Sequence, residues 1–88
     1  MDPNNPNVCI MLGRVLSMNN RTIPEAISMY NKSLSLAPSN IQGYIELGNL
    51  YLIIGDKTQA INKFEKALKL DPNAQDLKEH IDKLKQQR

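Results

Sequence analysis

The chain alternates apolar-rich bands with short polar breaks at residues 17–22, 37–40, 55–56 and 71–73. The densest band is LGNLYLII, residues 47–54, in which six of eight side chains are large and apolar before the run halts at Gly55-Asp56. It is far shorter than the ~20 apolar residues that cross a bilayer. It is also too apolar for a helix with a single covered face, so it is predicted to be covered on more than one side. A helix is expected from about Ile41 to Ile54, closed by Gly55 in the left-handed conformation. Asp56 and Gln59 then form a capping box for the next helix, which runs to about Leu70, where Pro72 disfavours helix at Asp71. A last helix is expected over about 74–86, capped by Asn73. Its stripe Leu77, Ile81, Leu84 falls at i, i+4, i+7 and the rest is polar, as a solvent-facing end helix requires. The first half of the chain has the same grammar. Asn19-Asn20 stands in for the glycine, since asparagine tolerates positive φ, and Thr22-Ile23-Pro24-Glu25 reads as a second capping box.

The two halves repeat each other. Ala26, Ile27, Tyr30, Lys32, Leu34, Leu36 and Pro38 have partners 34 residues on in Ala60, Ile61, Phe64, Lys66, Leu68, Leu70 and Pro72. Ser33 pairs with Ala67, and CIMLGRVL from Cys9 parallels YIELGNLY from Tyr44 at a spacing of 35, so one extra residue falls in the turn SMNNRT. The echo reaches DPNN at 2–5, which reads as the tail of a preceding unit. Val8, Met11 and Val15 would then lie open where that unit should pack. The expected organisation is one domain, 1–88, with units at about 6–40 and 41–74 and a capping helix at about 74–86.

These residues resemble the tetratricopeptide repeat, whose pattern is W-x2-L-G-x2-Y followed by A-x3-F, A and P. Tyr44, Leu47, Gly48, Tyr51, Ala60, Phe64, Ala67 and Pro72 match it position by position, and Leu12, Gly13, Ala26, Tyr30, Ser33 and Pro38 match it in the first unit. Cys9 and Leu16 stand where aromatics are usual. The resemblance implies an all-α fold of helix-turn-helix repeats stacked as a right-handed superhelix, here two repeats plus a C-terminal capping helix. Gly13, Gly48, Ala26, Ala60, Ser33 and Ala67 would let paired helices approach closely. Tyr44, Leu47, Gly48, Leu50, Tyr51 and Ile54, on one arc of about 160°, would pack on helices of both units. The resemblance places Gln42, Ile45, Asn49, Leu52 and Ile53 on the concave groove, with Asn7, Ile10, Arg14, Ser17 and Met18 from the first unit and Glu79 and Lys83 from the capping helix.

The implied function is a non-enzymatic adaptor or scaffold whose groove holds an extended or helical segment of another protein. Ile10, Met18, Ile45, Leu52 and Ile53 would give apolar contact, and Arg14, Asn49 and Lys83 polar anchoring. Some members clamp acidic C-terminal tails. Only Asn49 and Lys83 fit that arrangement, while Ile10, Arg14 and Glu79 depart from it, so the expectation is an apolar ligand with some negative charge. The alternative is a self-associating structural module, or part of a longer array.

Composition adds exclusions. Eighty-eight residues with a net charge of +2 are too weakly basic to imply nucleic acid or a membrane surface. One cysteine precludes an internal disulfide, and a start without leader character suits a cytoplasmic protein. A chain this short has modest stability, roughly 4–10 kcal/mol. His80 and Cys9 lie in different helices, and a metal site needs three or four ligands. No nucleophile, base and orienting group converge, and no glycine-rich phosphate loop is present, so neither a cofactor nor catalysis is expected. Cys9 is expected to be packed. Lys63, Lys66 and Lys69 form a solvated stripe in which Glu65 can pair with Lys69. The glycosylation patterns at Asn20 and Asn31 are attributed to chance in an asparagine-rich chain.

Overall fold

A computed structural model describes residues 4–87; the start of the DPNN echo lies outside them. Five helices follow one another: α1 (Pro6–Leu16), α2 (Ile23–Leu36), α3 (Ile41–Ile53), α4 (Lys57–Leu70) and α5 (Gln75–Gln86), with a 3-10 turn, Asn20–Thr22, before α2. The fold is the all-α, tetratricopeptide-like solenoid. α1 packs along α2 and α3 along α4, while α2 meets α3 and α4 meets α5. The molecule measures 41 × 28 × 15 Å. Its thinnest dimension barely exceeds the ~10–12 Å diameter of one helix, so every helix keeps some open face.

Two small hydrophobic cores share α3. The first gathers Ile10, Ile23, Ala26, Tyr30, Leu34, Leu47 and Leu50; the second gathers Ala60, Phe64, Ala67, Leu77, Ile81 and Leu84. Tyr44 and Tyr51 of α3 pack against both, and Ile41, Ile45 and Leu52 against the second. This double duty accounts for Leu47, Leu50, Tyr51 and Leu52 on different sides of the helix, while Ile53 and Ile54 stay exposed. Close approach comes from small residues. A methyl group at Gly48 would fall 2.7 Å from Cε1 of Phe64, and one at Gly13 would fall 2.8 Å from Cε2 of Tyr30. Ala26, Ala60 and Ala67 are fully buried, as is Ser33, whose hydroxyl donates to the Pro6 carbonyl at 2.9 Å. Cys9 is buried.

The turns divide into one legible and one different from expectation. After α3, Gly55 adopts φ +83°, its N–H bonds the Leu52 carbonyl, and the Asp56 N–H bonds the Tyr51 carbonyl. That is a Schellman closure. The Asp56 carboxylate accepts from the Gln59 N–H at 3.1 Å, so the forward half of the capping box forms, while the Asp56 N–H is committed to the Schellman bond. After α1 no left-handed residue is used: among the described residues no non-glycine has positive φ. The longer connection instead winds into the 3-10 turn, with the Asn19 side chain accepting from the Arg21 N–H. The Thr22 hydroxyl donates to the Leu16 and Asn19 carbonyls, so it fastens the end of α1 and makes no cap for α2. Asn73 does not cap α5 either, because the helix starts later, with Ala74 at its cap position and no side-chain bond.

Four further placements differ from the sequence reading. Leu12 is exposed, because Gly13 makes the contact with α2 and no described residue covers the next face. Met11 and Val15 are exposed beside it, while Val8 is half-buried. Pro38 and Pro72 are exposed and stand just past the ends of α2 and α4, where proline disfavours helix at the residue before it. Ile54 is half exposed, since it is the last residue before the turn. Glu65 reaches across to Lys85 of α5 at 3.1 Å rather than along α4 to Lys69, tying the last helix down. Burial, together with the charge of Lys66, pushes the Lys63 ammonium below its ordinary pKa.

Tyr30 gives the first core a pH limit. Its ring is buried and its hydroxyl donates to Oε1 of Glu46 at 3.4 Å. Burial first, then the Glu46 charge, raises its pKa to about 12 from 10.0. Below the ordinary tyrosine range the phenol is neutral folded or unfolded; above it the unfolded chain ionises and the folded one does not. The stability that Tyr30 contributes is therefore lost as pH rises from about 10 to about 12. Thermal melts are expected to show wild type losing Tm faster than Tyr30→Phe across that window, and parallel curves would contradict the assignment.

Candidate concave cleft between α3 and α5

α5 packs on α4 with Leu77, Ile81 and Leu84 turned into the second core. That leaves a gap between the first turns of α5 and the neighbouring flank of α3. The gap is a cavity of about 310 Å³, at the lower limit of the ~300–1,000 Å³ of ligand pockets. α3 lines it with Ile41, Ile45 and Asn49, and Phe64 of α4 also borders it. Asp71 and Ala74 of the connection, and Asp76, Leu77 and His80 of α5, close the far side. The Phe64 ring is held in place by Gly48 on one side and by His80 edge-on, with ring centroids 4.9 Å apart. The lining is mostly apolar with a few polar groups, the composition that grips a side chain and orients it.

Of the residues assigned to a groove from the sequence, Ile45 and Asn49 line this cleft. Asn7, Gln42, Ile53, Met18 and Lys83 are exposed, with Met18 at 86% the most open large apolar side chain among the described residues. Leu52 is half covered, packed on the second core. Ile10 is not a groove residue: at 7% exposure it belongs to the first core with Leu47 and Leu50 of α3. Arg14 is not a free anchor. Its Nε donates to Oε1 of Glu46 at 2.7 Å and its terminal nitrogen to Oε2 at 3.0 Å, a bidentate pair joining α1 to α3. The hydrogen bond to Glu46, then its charge, raises the guanidinium pKa above its ordinary value.

Sequence reasoning missed the carboxylates of Asp71 and Asp76 as cleft residues, and it assigned Phe64 and Leu77 to the core alone. The signal available was the break DPNA itself, which brings Asp71 and Ala74 beside the first turn of α5. Among the described residues no three histidine, cysteine, aspartate or glutamate side chains gather as metal ligands, and no helix is long and apolar enough to cross a membrane.

A family model described as Tetratricopeptide repeat matches residues 41–74, the span of α3, α4 and the connection that borders the cleft. The chain is also 36% identical over 75 residues to Protein O-mannosyl-transferase TMTC3 of Homo sapiens, and equally to that of Mus musculus. The match covers 85% of this chain and spans 8% of the length of those relatives.

Proposed function

Because this chain belongs to the tetratricopeptide-repeat family, with residues 41–74 the matched repeat, we propose that it is a non-enzymatic interaction module that seats a peptide or helix of a partner protein in the cleft between α3 and α5. The observation that carries this reading is the cavity beside Ile45 and Asn49, which joins apolar lining to polar groups at the edge. Its size suits one or two side chains of a longer segment, whose remainder would run past Leu52, Ile53 and Lys83.

The test is a random peptide library selected against the wild-type chain, with each recovered peptide titrated against Ile45→Gln. This variant removes apolar contact without adding charge, and Ile45 is only half covered, so helicity is expected to hold. Affinity is expected to fall about tenfold, equivalent to ~1.4 kcal/mol. Peptides that bind both proteins equally would move the site off the cleft.

A second reading has its own observation. Met11, Leu12 and Val15 form an exposed apolar strip on α1, the kind of surface that contacts between copies, or between successive repeats of an array, would cover. Sedimentation over a concentration series discriminates: a dimer dispersed by Val15→Glu favours association through α1.

A further inference from the structure

The cleft has a charge opposite to that of the chain. The protein carries a net +2, yet the cavity is bordered by the carboxylates of Asp71 and Asp76 and by neither lysine nor arginine. Of the two cations expected to bring negative ligands to the groove, Arg14 is paired with Glu46 and Lys83 does not line the cavity. Lys63, Lys66 and Lys69 do not line the cavity. The first turn of α5 also opens there, and its dipole contributes roughly half a positive charge, which two carboxylates outweigh. Neither aspartate is occupied by an ion pair: the two side-chain salt bridges in the described residues are Arg14 with Glu46 and Lys85 with Glu65.

Building on the proposed role of the cleft, we propose that its occupant is a basic amphipathic segment of a partner protein. A lysine or arginine of that segment would lie between Asp71 and Asp76, and a neighbouring aliphatic side chain would enter the cavity against Ile41, Ile45 and Leu77. The chemistry is complementary on both counts. The long stem of a basic side chain covers apolar wall while its charged head stays at the wet rim, where Asp71 and Asp76 are exposed and can accept charge-assisted hydrogen bonds without being desolvated. An acidic segment would meet two like charges at the same rim, and like-charge juxtaposition rejects wrong partners.

The experiment uses three end-blocked, fluorescent amphipathic peptides with one leucine pattern, their polar positions all lysine, all glutamine or all glutamate. Binding is read by anisotropy at low and high salt, with circular dichroism as the folding control for each variant. The lysine peptide is expected to bind at least ~tenfold tighter than the glutamate peptide at low salt, the margin shrinking as salt screens the rim. Asp71→Asn/Asp76→Asn should abolish that margin, while Asp82→Asn, an exposed α5 carboxylate that does not line the cavity, should leave it. A margin that survives the double variant overturns the proposal, because the charge is then read elsewhere. Equal lysine and glutamate affinities, both weakened by Ile45→Gln, overturn the charge assignment and leave the cleft as the binding site. Affinities indifferent to Ile45→Gln overturn both. Self-association of wild type that disappears in Asp71→Asn/Asp76→Asn overturns it in favour of a second copy, whose Lys63–Lys66–Lys69 stripe would be the occupant.

Discussion

Truncating Phe64 to alanine is expected to remove ~3–5 kcal/mol of stability, most of what a domain with roughly 4–10 kcal/mol in total has to lose. Three features put it at the high end. The ring is 1% exposed, so its whole transfer free energy is at stake. The surface facing it is Gly48, which has no side chain to move into the void. The His80 ring lies edge-on against it, and it shares the second core with Ala60 and Ala67 of its own helix and the Leu77–Ile81–Leu84 stripe of α5. The alanines cannot reach further, and the stripe is carried on the backbone of a helix packed against α4. The hole therefore stays open, and α5 loses the surface it docks on. Urea denaturation followed by circular dichroism is expected to show a midpoint less than half that of wild type, with partial loss of helicity in water. Since Phe64 also borders the cleft, peptide binding should go with it. A loss below ~1 kcal/mol, the scale of an ordinary surface substitution, would mean that the second core does not depend on this ring.

The same residue shows what was legible in the sequence. The 34-residue spacing that pairs Phe64 with Tyr30 places both rings against glycines, and the structure has both contacts. Gly55 and Asp56 were legible too, because a glycine followed by a capping aspartate leaves few backbone solutions. What escaped has one physical character: it depends on pairs distant in sequence or on the path of a connection. A helical wheel gives the direction of Ile10 but not its neighbour, and Leu47 and Leu50 of α3 join it in one core. Arg14 and Glu46 are 32 residues apart, and no periodicity announces that a groove cation is already paired. Glu65 had a partner at i+4 and took one 20 residues on, because burial of α5 on α4 brings Lys85 within reach. The Asn19-Asn20 turn failed for another reason. One additional residue let the chain close α1 with a 3-10 turn and the Thr22 hydroxyl, which removed the need for positive φ.

These corrections converge on the ligand. Positions counted along helices gave a groove with Arg14 and Lys83 as its charges, hence a preference for negative segments. With Arg14 paired, and with Asp71 of the connection and Asp76 of the first turn of α5 at the cleft, the proposed preference reverses sign. One of the two carboxylates comes from the connection and the other from the helix end it leads into, the edges at which a rigid helical scaffold presents its chemistry.

Gly48 is the position where enlargement rather than truncation should be most damaging. An added Cβ would stand 2.7 Å from Cε1, 2.9 Å from Cζ and 3.0 Å from Cδ1 of Phe64. It would meet the face of a ring that is itself enclosed, not the end of a mobile chain. Gly48→Ala gains about 1 kcal/mol of helix propensity, against an overpacking cost of ~1–3 kcal/mol, so a net loss of up to ~2 kcal/mol is expected. Gly48→Leu adds three more carbons to a contact already too close. It is expected to separate α3 from α4 and leave the second hairpin unfolded in water, because the larger side chain must enter space that the Phe64 ring already fills. Separation should be visible as a loss of helicity confined to part of the chain, with the Tyr30 core of α1 and α2 the last to melt. A double-mutant cycle identifies the cause. Phe64→Leu alone should destabilise and Gly48→Ala alone should destabilise, yet together they should cost at least ~0.5 kcal/mol less than their sum, the coupling expected of residues in direct contact. Strict additivity would mean that the helix pair does not close on this glycine.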